Sequence, residues 1–293
     1  MVEVRKNPTP EAVKQSAQHV LFVEGQASSI DREALHTFLG DLVRVEPLGP
    51  SFHIANAAQA LQRHHPTYYF LIDRDHHGDD EVQRSWDRFP DPATHNLLIW
   101  PRRELENYLL TPELLLRSQY RVVDEPTLRS CIRRECQRRL YRDAANQVIT
   151  ECRETLKRKW IEHFDTTAPC DTRDAALQAL CEHPAFASKR SELASVTATE
   201  ALAARYAATL ELLTGGRDPL EFGHGRWLEL LRGKQVLAVV VHDCFKIPDA
   251  TGKPLQGPRK QLELARELLR LPLASLPADL QRLHAVIASR LQK

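Results

Sequence analysis

The sequence has no glycine-rich phosphate loop. Neither Gly-x4-Gly-Lys-Ser/Thr nor a Gly-x-Gly-x-x-Gly after the first strand occurs, which argues against the nucleotide- and dinucleotide-binding domains built on those loops. No apolar run approaches the roughly 20 residues of a membrane span. Met1 to Ser16 is polar and lacks the apolar core of a signal peptide. The six cysteines stand at 131, 136, 152, 170, 181 and 244, none in a Cys-x-x-Cys pair, so zinc-ribbon spacing is absent. Neither sign of charge dominates: 40 Lys plus Arg against 39 Asp plus Glu give a formal net charge of +1. No global field therefore draws nucleic acid or membrane, and any nucleic-acid surface has to be a local patch. Internal repeats and low-complexity segments are missing too. With 293 residues the chain does not need disulfide staples, so free thiols in a reducing cytoplasm are expected.

What is present is a core: 42% of residues are apolar, enough for one large domain or two ordinary ones. The chain is organised around Tyr68-Tyr69-Phe70-Leu71-Ile72-Asp73-Arg74-Asp75, an apolar run that ends in two carboxylates one residue apart. Such a run reads as a buried strand. On an extended exit, positions i and i+2 face the same way, so Asp73 and Asp75 would present oxygens to one point. Carboxylates that close repel unless a proton or cation lies between them, and a hard cation such as Mg2+ takes oxygen ligands. The plainer alternative is a surface turn that continues into an acidic loop at Asp79, Asp80 and Glu81.

The first 112 residues alternate strands with helices. His19 to Gly25 reads as a strand closed by Glu24, with Ser28 and Ser29 as helix caps and Asp31 to Leu39 as the helix. Leu42 to Leu48 is a second strand, Ile54 to Leu61 a second helix, and His95 to Trp100 a fourth strand. Alternation of this kind predicts a mainly parallel, Rossmann-like sheet with crossover helices. Sites in such sheets gather at the carboxyl ends of the strands. Three ends carry acids here: Glu24, the Asp73/Asp75 pair, and Glu104 with Glu106 after the fourth strand. Acids on three strand ends along one edge use buried space poorly without a cation. A solvated helix start, where acids suit the dipole, is the alternative for Glu104 and Glu106.

Beyond Pro112 the pattern is helical, with helices expected over 113–120, 126–154, 155–164, 171–182, 191–213, 220–232, 259–271 and 278–291. Val236 to Val241 fits a strand or a buried helix equally. Arg232-Gly233 reads as a helix end, glycine being the usual residue just past one. Arg133, Arg134 and Arg138, with Lys157 further on, lie at helical spacing and could track phosphates. A wet, ion-paired helix face explains them as well. His76-His77 and His242-Asp243-Cys244 carry little, since adjacent side chains on a strand point apart and triads assemble in space.

The order Val23-Glu24-Gly25, then Ile72-Asp73-Arg74-Asp75, resembles the Toprim pattern. Glu104-Leu105-Glu106-Asn107-Tyr108-Leu109-Leu110 resembles the Glu-Ile-Glu-Asn-Tyr-Leu segment of OLD-type (overcoming lysogenisation defect) Toprim regions, and Leu21 to Gly25 with Ser29-Ile30-Asp31 is similar to the opening of the same group. The likeness covers roughly 19–112. It implies an α/β Toprim fold with a large all-α domain following or inserted: a catalytic core over 17–112, a helical domain over 113–232, and a segment over 233–293 returning to pack on the core. It implies a DNA endonuclease using two divalent ions, Mg2+ or Mn2+. Glu24, Asp73 and Asp75 would be ligands. Asp31 stands in for an acid that the family places a few residues after the glutamate. Glu104 or Glu106 would complete the set. Lys234, in Gly233-Lys234, is the nearest match to the family's catalytic lysine. DNA is the expected partner, as is an ABC-type ATPase, which the family carries on the same chain. This sequence has no ATPase portion and so reads as a C-terminal fragment or a lone relative. The alternatives are another Toprim enzyme, of the topoisomerase or primase kind, or a non-catalytic DNA-binding adaptor.

Overall fold

The computed structural model describes residues 19–26, 29–61, 64–75, 77–90, 96–156 and 184–291. The chain forms two compact units, one joining Met1–Arg138 to Arg226–Lys293 and the other made of Arg139–Gly225.

The first unit holds a four-stranded sheet of β1 (Val20–Val23), β2 (Arg44–Pro47), β3 (Tyr68–Ile72) and β4 (Leu97–Ile99). Every pairing is parallel and the order is β2-β1-β3-β4. In register, Val20 faces Arg44 on one side and Tyr68 on the other, and Phe70 faces Leu97. Parallel neighbours require crossovers. Here they contain α1 (Ile30–Leu39), α2 (Ser51–Leu61) and α3 (Asp79–Arg88). The α/β architecture expected from the alternation is present. β1 and β3 are central, and Val20, Leu21, Val23, Phe70, Leu71 and Ile72 are all buried. That explains why these strands read as continuous apolar runs rather than alternating ones. The order also fixes a switch point. From β1 the chain moves outward to β2, then returns to the other side of β1 as β3, so a crevice opens at the carboxyl ends of β1 and β3.

The acidic stretch from Asp79 is not a loop: it is the first turn of α3, where acids suit the positive helix end. Only Val82 and Trp86, one turn apart, are buried on this helix, too sparse a stripe to stand out in sequence. After β4 come α4 (Leu105–Leu109), α5 (Pro112–Leu115) and α6 (Glu125–Leu156). Within the first unit the chain resumes with α9 (Trp227–Leu230), α10 (Gly233–Cys244), α11 (Gly257–Leu269), a 3-10 turn (Leu273–Ser275) and α12 (Ala278–Leu291). The Val236–Val241 run is helical: Val236, Leu237, Val240, Val241 and Cys244 form a buried stripe at helical spacing. Gly233 does not end a helix; it opens one. The helix expected over 220–232 is confined to four residues, because Gly223 and Gly225 adopt left-handed backbone just before it. α11 packs on α1 and α10, and α10 packs on α4. Arg266 of α11 joins Glu33 of α1 at 2.7 Å.

In the second unit, the described residues beyond α6 form α7 (Pro184–Thr197) and α8 (Thr199–Thr214), which pack on each other. Gly215 ends α8 in left-handed conformation. The helices expected over 155–164 and 171–182 lie largely outside the described residues, as do Ser28, His76, His95, Lys157 and the lead-in before His19. No helix among the described residues is long and apolar enough to cross a membrane.

Candidate functional site

Glu24 leaves the end of β1 and Asp73 the end of β3, so the switch point brings them together. The Asp73 N–H donates to Glu24 Oε1 at 2.8 Å. Gly25 makes the turn behind Glu24 possible: its φ is +106°, and a Cβ there would lie 2.6 Å from Ser29 Oγ. Gly25 also exchanges both backbone hydrogen bonds with Gly49, each at 3.1 Å. Ser29 caps α1 by accepting from the Arg32 N–H at 3.2 Å. The cap sets Asp31 in the first turn, where it is buried.

The acids after β4 are not a solvated helix start. Glu104 is the N-cap of α4, with its side chain on the Asn107 N–H and the Asn107 amide oxygen on the Glu104 N–H. The Glu104 carboxylate caps a second helix as well, because the Lys234 N–H donates to its Oε2 at 2.8 Å. Glu106 is 1% exposed, and its Oε2 has no hydrogen-bond partner.

Lys234 enters from the start of α10. Its ammonium lies 3.4 Å from Asp73 Oδ2 and 3.5 Å from Asp31 Oδ2. Burial works against its charge, but the carboxylates of Asp73, Asp31, Glu106 and Glu104 outweigh it and hold the lysine well above its usual range. The acids show the complementary strain. Burial first, then Asp31 and Glu24, push Asp73 well above the ordinary carboxyl range, against the pull of Lys234. Burial and Asp31 do the same to Glu106. Burial also raises Glu24, opposed by its hydrogen bond from Asp73 and reinforced by the charge of Asp75, and it raises Glu104. Val23, Leu35, Leu71 and Trp100 wall the crevice with apolar surface beside Glu24, Asp31 and Asp73.

Asp75 stands apart from this cluster. The strand stops at Ile72, and Asp75 has φ +41° and is exposed, so strand alternation does not set it beside Asp73. Its charge nonetheless acts on Glu24. Among the described residues, no three carboxylate, histidine or cysteine side chains converge into a ready-made cation cage.

Three supporting residues carry no signal of their role in the sequence. Arg74 is buried between the two acids, donating to the Pro101 carbonyl at 2.8 Å and to Asp79 at 2.7 Å. It ties the loop after β3 to the loop after β4. Asn107 donates to the carbonyls of Leu228 and Leu231, both at 2.9 Å, and so fixes α4 to the turn that delivers Lys234. Gly233 lies so close to Asn107 that a Cβ would be 2.6 Å from its Oδ1. An Asn in a helix start and a Gly before a Lys are visible in the sequence, but their pairing across the chain has no local signal.

Two of the α6 arginines at phosphate-tracking spacing also meet acids within the chain. Arg134 and Arg138 both reach Glu135, which is 2% exposed, at 3.1 and 2.9 Å. Arg134 also reaches Asp243 at 3.2 Å. Arg133 is exposed. His77 pairs with Glu81 at 2.9 Å, and His242 with its neighbour Asp243.

No family model, curated protein or solved structure matches this chain.

Proposed function

We propose that the chain is a divalent-cation-dependent phosphodiesterase acting on DNA, of the OLD-type Toprim class its sequence resembles. The observation that carries this reading is the charge balance at the switch point. Glu24, Asp31, Asp73, Glu104 and Glu106 lie around the ammonium of Lys234, with the Arg103 guanidinium also acting on Glu104, and Glu106 keeps a buried oxygen without a hydrogen-bond partner. That excess of carboxylates is relieved only by protons or by further cations. All-oxygen donors suit Mg2+ or Mn2+ rather than zinc.

Glu24, Asp31 and Asp73 would hold the ions, with Glu106 as the further buried oxygen and Asp75, apart from the cluster, adding only its charge. Glu104, spent on capping two helices, is the least available of the set. Held by these carboxylates, divalent ions would supply Lewis acidity and positive charge for phosphodiester hydrolysis. Lys234 adds a fixed positive charge toward the phosphate, and the apolar walls strengthen it by keeping the local dielectric low. Sequence preference is weak on this reading, since phosphate contacts carry no base information. The resemblance brings an ATPase partner into the same proposal.

The test is to incubate supercoiled plasmid with the protein and Mg2+ or Mn2+. Nicked and linear products, lost in Asp73→Asn, are the expected result. Relaxed closed topoisomers would mean strand-passage chemistry instead. Shifted but uncut plasmid would mean a DNA-binding adaptor.

A further inference from the structure

Away from the carboxylates, a second set of reactive side chains meets where α6 adjoins the last residue of α10. Cys131, on α6, and Cys244, ending α10, are both buried, and neither is in a disulfide. Both line one pocket, and each is close enough to act on the other's ionisation. Arg134 Nη2 lies 3.5 Å from the Cys131 sulfur, and Asp243 Oδ2 lies 4.0 Å from it. Lys260, itself buried, donates to the His242 carbonyl at 3.1 Å and is within reach of the Cys244 sulfur electrostatically. An open pocket of about 350 Å3 is lined by Thr127, Ser130, Cys131, Arg134, Asp243 and Cys244. Small polar molecules can therefore reach sulfurs that are otherwise packed.

Two cysteines in an apolar core are inert, because burial keeps both protonated. This pair is asymmetric. The neighbouring Cys244 thiol and the Arg134 guanidinium, 3.5 Å from the Cys131 sulfur, draw the Cys131 thiol below its ordinary range, against burial and the charges of Asp243 and Glu135. The neighbouring Cys131 and burial push the Cys244 thiol up. One sulfur is thereby primed as a nucleophile and the other poised beside it to resolve what forms.

We propose that Cys131 and Cys244 form a reversible dithiol–disulfide site whose oxidant is hydrogen peroxide. The Cys131 thiolate attacks one peroxide oxygen and the O–O bond breaks. The leaving hydroxide takes up the proton lost by Cys131 and departs as water, leaving Cys131 as a sulfenic acid. The Cys244 sulfur then attacks the Cys131 sulfur, and the S–S bond forms as the S–O bond breaks. The departing hydroxide takes the Cys244 proton as a second water. Two thiols are oxidised and one peroxide is reduced to two waters. The bond would join α6 to the far end of the helix whose first turn carries Lys234.

The experiment treats the folded, reduced protein with hydrogen peroxide, blocks remaining thiols by alkylation, and maps peptides by mass spectrometry. Wild type is expected to lose two hydrogens, to yield a Cys131–Cys244 linked peptide, and to recover both thiols with dithiothreitol. Cys244→Ser is expected to stop at a sulfenic acid on Cys131 that dimedone traps, and Cys131→Ser to give neither product. The wild-type measurement stands by itself if a variant fails to fold. Full alkylation of Cys131 and Cys244 after peroxide treatment that oxidises Cys152, or a bridge from Cys131 to another cysteine, would overturn the proposal.

Discussion

Lys234 and Asp73 are 161 positions apart in sequence and 3.4 Å apart in space, ammonium nitrogen to carboxylate oxygen. The same ammonium lies 3.5 Å from Asp31. It therefore draws on the oxygens that a divalent ion would use. Lys234→Ala is expected to lose metal-dependent cleavage by on the order of 100- to 1000-fold, the usual effect of removing a transition-state charge contact. Lys234→Arg should not restore it, because a planar guanidinium replaces a point charge. The variant should still bind Mn2+ at least as tightly as wild type, since a competing cation is gone. Calorimetric titration of Mn2+ checks this, and weaker binding by Lys234→Ala would mean that the lysine helps to build the ion site.

Gly233 sets the position from which Lys234 reaches inward. An alanine in a helix is ordinarily favoured over glycine by about 1 kcal/mol. Here the added Cβ would sit 2.6 Å from Asn107 Oδ1 and 2.9 Å from the Asn107 backbone nitrogen. Asn107 cannot yield easily, being held by Glu104, Leu228 and Leu231. The clash decides the sign: Gly233→Ala should destabilise by about 1–3 kcal/mol. Thermal unfolding measures that loss, and a higher midpoint than wild type would show that α4 and α10 can separate without cost.

The sequence exposed the parts of this fold that repeat locally. β1, β3 and β4 are short apolar runs ended by Glu24, Asp73 and the turn before Glu104, and each lies where the pattern puts it. The acids were legible as strand-end acids because parallel sheets collect function at one edge. Three things were not legible. Asp75 takes left-handed backbone that no periodicity signals. Gly233 starts a helix because Asn107 packs against it, a contact that depends on tertiary structure rather than on glycine's local preference for helix ends. The spacing of the α6 arginines is visible in the sequence, but not that Arg134 and Arg138 meet a buried Glu135.

The carboxylate cluster predicts how stability depends on pH. Burial, reinforced by neighbouring acids, raises Asp73 and Glu106 well above the carboxyl range. The folded protein thus keeps protons that the unfolded chain releases above about pH 4. Wherever the native state binds more protons, stability falls as pH rises. The loss should begin near the unfolded values and run up through the raised folded ones. Glu33 and Asp79, lowered by arginine partners, have delivered their opposing contribution once pH exceeds the unfolded values, and His19, lowered by burial, offsets only part of the decline as pH rises to about 6.5. In EDTA the melting temperature should therefore decline from pH 5 to pH 7.5. Mg2+ should raise it more at pH 7.5 than at pH 5, and Glu106→Gln should flatten the decline. An identical slope in wild type and Glu106→Gln would show that Glu106 ionises without penalty.

Glu135 supports the last prediction. Its side chain is 3% exposed, and it is met by Arg134 and Arg138, which are 57% and 69% exposed. Removing the partners of a fully buried charge commonly costs about 3–5 kcal/mol. Exposed arginines are partly replaced by water, as in surface pairs. Arg134→Ala combined with Arg138→Ala should therefore cost less, read as a modest drop in the denaturant midpoint. Adding Glu135→Gln to that double variant should recover part of the loss, because a neutral amide no longer demands a cation. If the arginines instead serve DNA, the double variant should leave stability unchanged and flatten the salt dependence of binding, by roughly 0.9 in log–log slope for each phosphate no longer neutralised. Arg133→Ala separates the two cases. Its side chain is exposed, so any effect on the salt slope without an effect on stability would assign a phosphate to that position alone.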